Sequence, residues 1–125
     1  MFYRLRMREN IPMKNQNVIF KNATILVTGA AGFIGSNLVR ELLRTTEPVH
    51  IVGIDNNMNN YYDVSIKEYR LEKLTEEAQK HSTSSWEFIK GSIADKPLIA
   101  QIFADYKPTV VVNLAAQAVL FSYTL

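Results

Sequence analysis

The chain alternates short apolar runs with longer amphipathic stretches. Thr24-Ile-Leu-Val-Thr28 is apolar at consecutive positions, the pattern of a strand covered on both faces. From Phe33 to about Thr45 the spacing turns helical, with Ile34, Leu38 and Leu42 on one stripe and Val39 and Leu43 beside it. Val49 to Ile54 is a second β-rich run. Ser65-x-x-Glu68 then reads as a capping box, opening a helix to about Lys80 with Leu71, Leu74 and Ala78 facing inward. Trp86 to Lys90 predicts a third strand. Asp95 caps a short helix, with Pro97 in its first turn and Leu98, Ile99, Ile102 and Phe103 as its apolar positions. Pro108 closes the connection before a fourth strand, Thr109-Val-Val-Val-Asn113.

The order is therefore β-α-β-α-β-α-β. Strands alternating with helices run parallel with right-handed crossovers, which predicts an α/β fold with helices on both faces of an open sheet. By analogy with doubly wound sheets the strand order is 3-2-1-4, a Rossmann-type three-layer α/β/α arrangement whose parallel sheet is incomplete at four strands. Ligands of such sheets lie beyond the carboxyl ends of the strands, so functional residues are expected just after each one.

Composition keeps this picture. The 125 residues are 47% hydrophobic, 21% charged and 10% aromatic, a globular profile. The longest apolar run, from Thr109 to Leu120, is interrupted by Asn113 and Gln117, so no membrane span is expected. Cysteine is absent, which excludes disulfides, thiolate metal sites and a cysteine nucleophile. His50 and His81 have no partner at ligand spacing, so no metal is expected.

The formal charge of +2 divides unevenly. Residues 1–23 hold five cations (Arg4, Arg6, Arg8, Lys14, Lys21) against Glu9, a net +4; the remainder holds nine against eleven, a net −2. A mildly acidic body argues against nucleic acid as a partner. The basic segment lacks the apolar stretch of a secretory signal and reads as a flexible leader, with a transit peptide or an upstream translation start as alternatives. Nothing points outside the cell, and a cytoplasmic location is the expectation.

The chemistry centres on Gly29-Ala-Ala-Gly32-Phe-Ile-Gly35, directly after the first strand and running into the first helix. Gly29 permits the sharp turn, Gly32 the approach of backbone N–H groups to a pyrophosphate, and Gly35 close packing of helix on sheet. The positive end of the helix dipole faces the same phosphates. Asp55 ends the second strand 20 residues after Gly35, the distance at which a carboxylate accepts the ribose hydroxyls of NAD. That carboxylate would repel the 2′-phosphate of NADP, and no Arg follows it in Asn56-Asn57-Met58-Asn59-Asn60, so NAD is favoured.

The G-x-x-G-x-x-G spacing behind Thr28 resembles the extended short-chain dehydrogenase/reductase superfamily. Asn60-Tyr-Tyr-Asp63-Val-Ser65, Lys67-Glu-Tyr-Arg-Leu71, Gly91-Ser-Ile-Ala-Asp-Lys96 and Asn113-Leu-Ala-Ala-Gln-Ala118 make it most similar to the NAD-dependent epimerase/dehydratase family, and within that to the UDP-glucuronate 4-epimerase type. The resemblance, covering about Thr24 to Ala118, implies NAD as cofactor and a UDP-sugar as substrate of the full-length relatives. It places Phe33 and Ile34 beside Gly32 at the pyrophosphate, Asn56, Asn59 and Asn60 with Asp55 around the adenosine half, and Leu114, Ala115 and Ala116 along the cofactor.

Three departures from the family pattern stand out. The family has Gly-Asp, with that Asp on the adenine amino group, where this chain has Gly91-Ser92; Ile93 is still able to pack on the ring. After Ala118 the family's Gly-Val-Arg-Tyr-Ser is replaced by Val119-Leu120-Phe121-Ser122. The family's catalytic Ser/Thr and Tyr-x-x-x-Lys lie beyond the fourth strand and have no counterpart here. The expectation is thus the amino-terminal, non-catalytic portion of a sugar-nucleotide epimerase (residues 24–125). The alternatives are a regulatory dinucleotide-binding module, a sugar-nucleotide 4,6-dehydratase fragment and a decayed product. Tyr69-Arg-Leu-Glu-Lys73 fits Tyr-x-x-x-Lys by spacing alone and is read as a surface pair. Glu68, Glu72, Glu76 and Glu77 read as a solvated face, Trp86 as strand packing, and Tyr61-Tyr62-Asp63 as either a lid over the nucleotide or simple loop packing. The exposed fourth strand is expected to favour self-pairing or aggregation.

Overall fold

A computed structural model describes residues 21–45, 47–56 and 63–115 of the chain, with the side chains of residues 63 and 64 left aside. The elements follow the expected order: β1 (Ala23–Thr28), α1 (Phe33–Arg44), β2 (Val49–Asp55), α2 (Asp63–Gln79), β3 (Ser85–Lys90), α3 (Lys96–Tyr106) and β4 (Val110–Asn113). The strands form one parallel sheet in the order β3-β2-β1-β4. The basic leader up to residue 20 and the apolar tail from residue 116 lie outside the described residues.

Alternation along the strands sorts the core into two layers. Ile25, Val27, Val49 and Ile51 point to the face covered by α1 and α2, where they meet Val39, Leu43 and Leu74. Leu26, Val52 and Ile54 point to the opposite face and meet Ile102 of α3. This division follows from the crossovers, since β1-to-β2 and β2-to-β3 step one way along the sheet and β3-to-β4 steps back. Trp86 packs against the first layer, as its position at a strand start implied.

The rotation of α1 differs from its periodicity. Ile34 is 66% exposed, and the buried positions are Gly35, Ser36, Val39 and Leu43. Gly35 sets this rotation: a Cβ there would lie 2.1 Å from the Gly29 carbonyl oxygen. The residue without a side chain must face the turn, so Ile34 points outward, while Leu38 and Leu42 stay half-buried and Leu42 still packs against the first core layer.

Helix α2 begins at Asp63, two residues before the expected box, so Ser65 lies inside the helix and is not its cap. A Ser-x-x-Glu spacing also arises readily within a Glu-rich helix. Asp95 does cap α3, its Oδ1 accepting the Leu98 N–H at 3.1 Å, and Lys107 ends that helix in the left-handed region at φ 49°.

Glu77 also departs from expectation. It is buried, not part of a solvated face, and ties the carboxyl ends of α1 and α2 together. Arg44 Nη2 donates to Oε1 at 3.2 Å, and His81 Nε2 lies 2.9 Å from Oε2. These partners hold the Glu77 carboxyl well below its usual range, at about 2, Arg44 contributing first and His81 second against the cost of desolvation. The signal for burial was present: Leu74, Glu77 and Ala78 share one helix face.

Candidate functional site

The turn after β1 is stitched to the end of β2. Gly29 takes φ 72°, a conformation that favours glycine, and a Cβ there would come within 2.9 Å of the Leu114 backbone. The N–H groups of Gly29 and Ala30 donate to the Ile54 carbonyl at 2.9 and 3.3 Å. The next N–H, of Ala31, donates to Asp55 Oδ2 at 3.0 Å. Gly32 then stands at the N-cap of α1, where no side chain caps the first-turn N–H groups.

The exits of the other strands converge on the same place. The Gly91 N–H donates to the Asp55 carbonyl at 3.1 Å as β3 ends. On the other side, the Thr28 hydroxyl donates to Asn113 Oδ1 and accepts the N–H groups of Leu114 and Ala115 at 3.0 and 3.2 Å. The carboxyl ends of all four strands thus border one cleft of about 240 Å³.

Of the sequence-derived candidates, Gly29, Gly32, Asp55, Asn56, Ser92, Ile93, Leu114 and Ala115 line this cleft. Gly35 is buried behind the turn. Phe33 and Ile34 start α1 with side chains turned outward, and the Arg70 guanidinium stands 5.9 Å from the Phe33 ring centre. Asn59, Asn60 and Ala116 lie outside the described residues, as do Tyr61 and Tyr62. Ser92, at the family's acidic position, accepts the Ala94 N–H through its hydroxyl at 3.0 Å and so takes part in the turn into α3.

Lys67 and Gly91, quoted in the sequence only as parts of matching motifs and not as site candidates, also line the cleft. Lys67 Nζ lies 3.2 Å from Asp55 Oδ1, and both side chains are largely covered, at 17% and 7% exposure. They stand 12 positions apart in sequence, a spacing that no helical or strand periodicity connects. One turn on, Arg70 Nη1 donates to the Ala31 carbonyl at 3.2 Å, so α2 touches the glycine turn as well.

Tyr69 and Lys73 form only an exposed surface contact, Nζ lying 5.4 Å from the ring centre. Among the described residues there is no cluster of three or more His, Cys, Asp or Glu suited to a metal, and no helix long and apolar enough to cross a membrane.

Residues 26–122 match the family model described as GDP-mannose 4,6 dehydratase. Protein CapI of Staphylococcus aureus is 40% identical over 94 residues, covering 75% of this chain and 25% of that protein. UDP-glucuronate 4-epimerase 4 of Arabidopsis thaliana is 37% identical over 115 residues, covering 92% of this chain and 23% of the relative. Among solved structures, dTDP-glucose 4,6-dehydratase from Bacillus anthracis in complex with NAD superposes with a TM-score of 0.60 at 31% identity, over 82% of this chain and 29% of that one. The chain thus spans about a quarter of the length of the curated relatives it matches. With its glycine turn, carboxyl-edge cleft and this match over most of its length, the chain belongs to the NAD-dependent epimerase/dehydratase superfamily of extended short-chain dehydrogenases/reductases.

Proposed function

We propose that the cleft binds NAD and that the chain is the cofactor-binding portion of a sugar-nucleotide epimerase of the UDP-glucuronate 4-epimerase type. The observation that carries the reading is the Asp55 carboxylate, buried at the end of β2 and fixed to the glycine turn by the Ala31 N–H. The residues present fit the cofactor. Asp55 would accept the ribose hydroxyls, the turn and the uncapped start of α1 would face the pyrophosphate, and Ile93 would flank the base. Leu114 and Ala115 would border the path toward the nicotinamide, with Phe33, Ile34, Asn56, Asn59, Asn60, Ser92 and Ala116 completing the expected set. Bound NAD supplies reversible hydride acceptance, the chemistry that inversion at a sugar C4 requires.

The 37% identity to a UDP-glucuronate 4-epimerase over 92% of the chain supports that sugar nucleotide as substrate of the whole protein. A sugar-nucleotide 4,6-dehydratase is the second reading, favoured by the family model and the Bacillus anthracis structure. Both readings use the same cleft. Strand β4 is outermost among the described residues, and with Val111 48% exposed it supports self-pairing of the chain.

Calorimetric titration of the chain with NAD, repeated on Asp55→Asn, tests the cofactor reading. The expected result is saturable binding that weakens by roughly tenfold or more when the charged acceptor is lost. No binding by the unaltered chain, or equal binding by both proteins, would sink it.

A further inference from the structure

The sheet order β3-β2-β1-β4 sets the direction in which a dinucleotide would lie across the cleft. With the pyrophosphate at the turn after β1 and the ribose at the end of β2, the base falls at the exit of β3. There Gly91, Ser92 and Ile93 line the cleft. Among the described residues lining it, Asp55, Asn56, Lys67 and Ser92 carry the polar side chains. The Asp55 carboxylate and the Lys67 ammonium face each other at the ribose corner. Asp95, the acid that follows the β3 exit, is turned to the start of α3, its Oδ1 accepting the Leu98 N–H at 3.1 Å. The other two, Asn56 and Ser92, carry an amide and a hydroxyl, groups that both donate and accept.

The turn into α3 fixes Ser92. Its hydroxyl oxygen accepts the Ala94 N–H at 3.0 Å, and its carbonyl accepts the Asp95 N–H at 3.0 Å. Among the described residues, this leaves the hydroxyl proton and a second lone pair for a ligand. Adenine presents an amino donor at position 6 beside an acceptor at N1. Hypoxanthine presents a carbonyl acceptor at position 6 beside an N–H at N1. The two edges are reversed, and a hydroxyl that rotates about its C–O bond meets either one. Ile93 would pack on either purine ring alike.

We propose that Ser92 sets the base tolerance of the cleft, which admits dinucleotides of 6-oxopurines such as hypoxanthine alongside those of adenine. The inference rests on the NAD-binding reading above and deepens it. A side chain of one hydrogen-bonding sign would match one edge and leave the other with an unsatisfied polar group, whereas the hydroxyl leaves neither unmatched.

The test compares dissociation constants of the whole chain for NAD and nicotinamide hypoxanthine dinucleotide at neutral pH, with ADP and inosine diphosphate as probes of the adenosine half. The unaltered chain is expected to bind each member of a pair within about tenfold of the other. Ser92→Asp keeps an acceptor for the Ala94 N–H but cannot donate, so it should shift both ratios by roughly tenfold. Its added charge weakens all four ligands through their phosphates, and the ratio removes that common effect. Ser92→Asn, which still donates and accepts, should leave the ratios at their parent values. A residue that only shapes the turn would change all four affinities equally in Ser92→Asp, and that result overturns the proposal. So does a shift in Ser92→Asn as large as that in Ser92→Asp. Binding of NAD and ADP with hundredfold rejection of the hypoxanthine pair by the unaltered chain overturns this inference alone. Binding of none of the four ligands overturns the cofactor reading itself and this inference with it.

Discussion

The Thr28 hydroxyl donates to Asn113 Oδ1 while accepting the N–H groups of Leu114 and Ala115, so one side chain fastens the end of β1 to the exit of β4. Thr28→Val keeps the shape, removes a donor, and leaves two backbone N–H groups without this acceptor. The expected loss is about 1–3 kcal/mol of unfolding free energy in urea, with Thr28→Ser close to the parent. A Val variant as stable as the parent would mean that water replaces the hydroxyl without cost.

The glycines of the turn separate stability from binding. Gly35→Ala places a methyl 2.1 Å from the Gly29 oxygen and is expected to destabilise by roughly 1–3 kcal/mol or more, read as a lowered Tm. At Gly32 the nearest atom to an added Cβ is the Gly29 oxygen at 3.3 Å, so Gly32→Ala should fold with a much smaller loss. Because Gly32 lines the cleft, that variant should lose dinucleotide affinity instead. Identical Tm shifts in the two variants would contradict the packing argument.

The α1–α2 clamp gives a pH dependence. Glu77 titrates near 2 in the folded chain against an ordinary 4.5, so its contribution to stability is complete above about 4.5 and fades as pH falls toward 2. Glu77→Gln should therefore be less stable than the parent at neutral pH, and the difference should close across that window. Urea melts of both proteins at several pH values check this; a gap that persists at pH 2 would assign the effect to packing.

The outer strand β4 offers a test of self-pairing. Sedimentation velocity of the chain is expected to show association growing with concentration, reduced by Val111→Lys, which places a charge on the exposed face of that strand. Equal behaviour of both proteins would remove β4 as the contact.

Element order, strand order and most of the cleft could be read from sequence because each has a local signal. Apolar runs marked the strands, Gly29, Gly32 and Gly35 marked the turn, and Asp55 stood at a known distance from it. Other features depended on which atoms meet in three dimensions. Ile34 belongs to a clear apolar stripe, yet the contact between Gly35 and Gly29 turns it outward. Glu77 looked like one acid among four until α1 brought Arg44 to it. Lys67 stands in a matching motif but no periodicity ties it to Asp55, since that contact comes from the packing of α2 beside the end of β2.

The bonds from Gly29, Ala30 and Ala31 to the end of β2 have one further consequence. These backbone groups are secured within the chain itself, and Gly35 presses the helix start against them. The conformational entropy of the turn is therefore lost during folding, before any ligand arrives. On the proposed reading, a dinucleotide entering the cleft would meet a surface already in shape, and its affinity would not be reduced by the ordering of that turn.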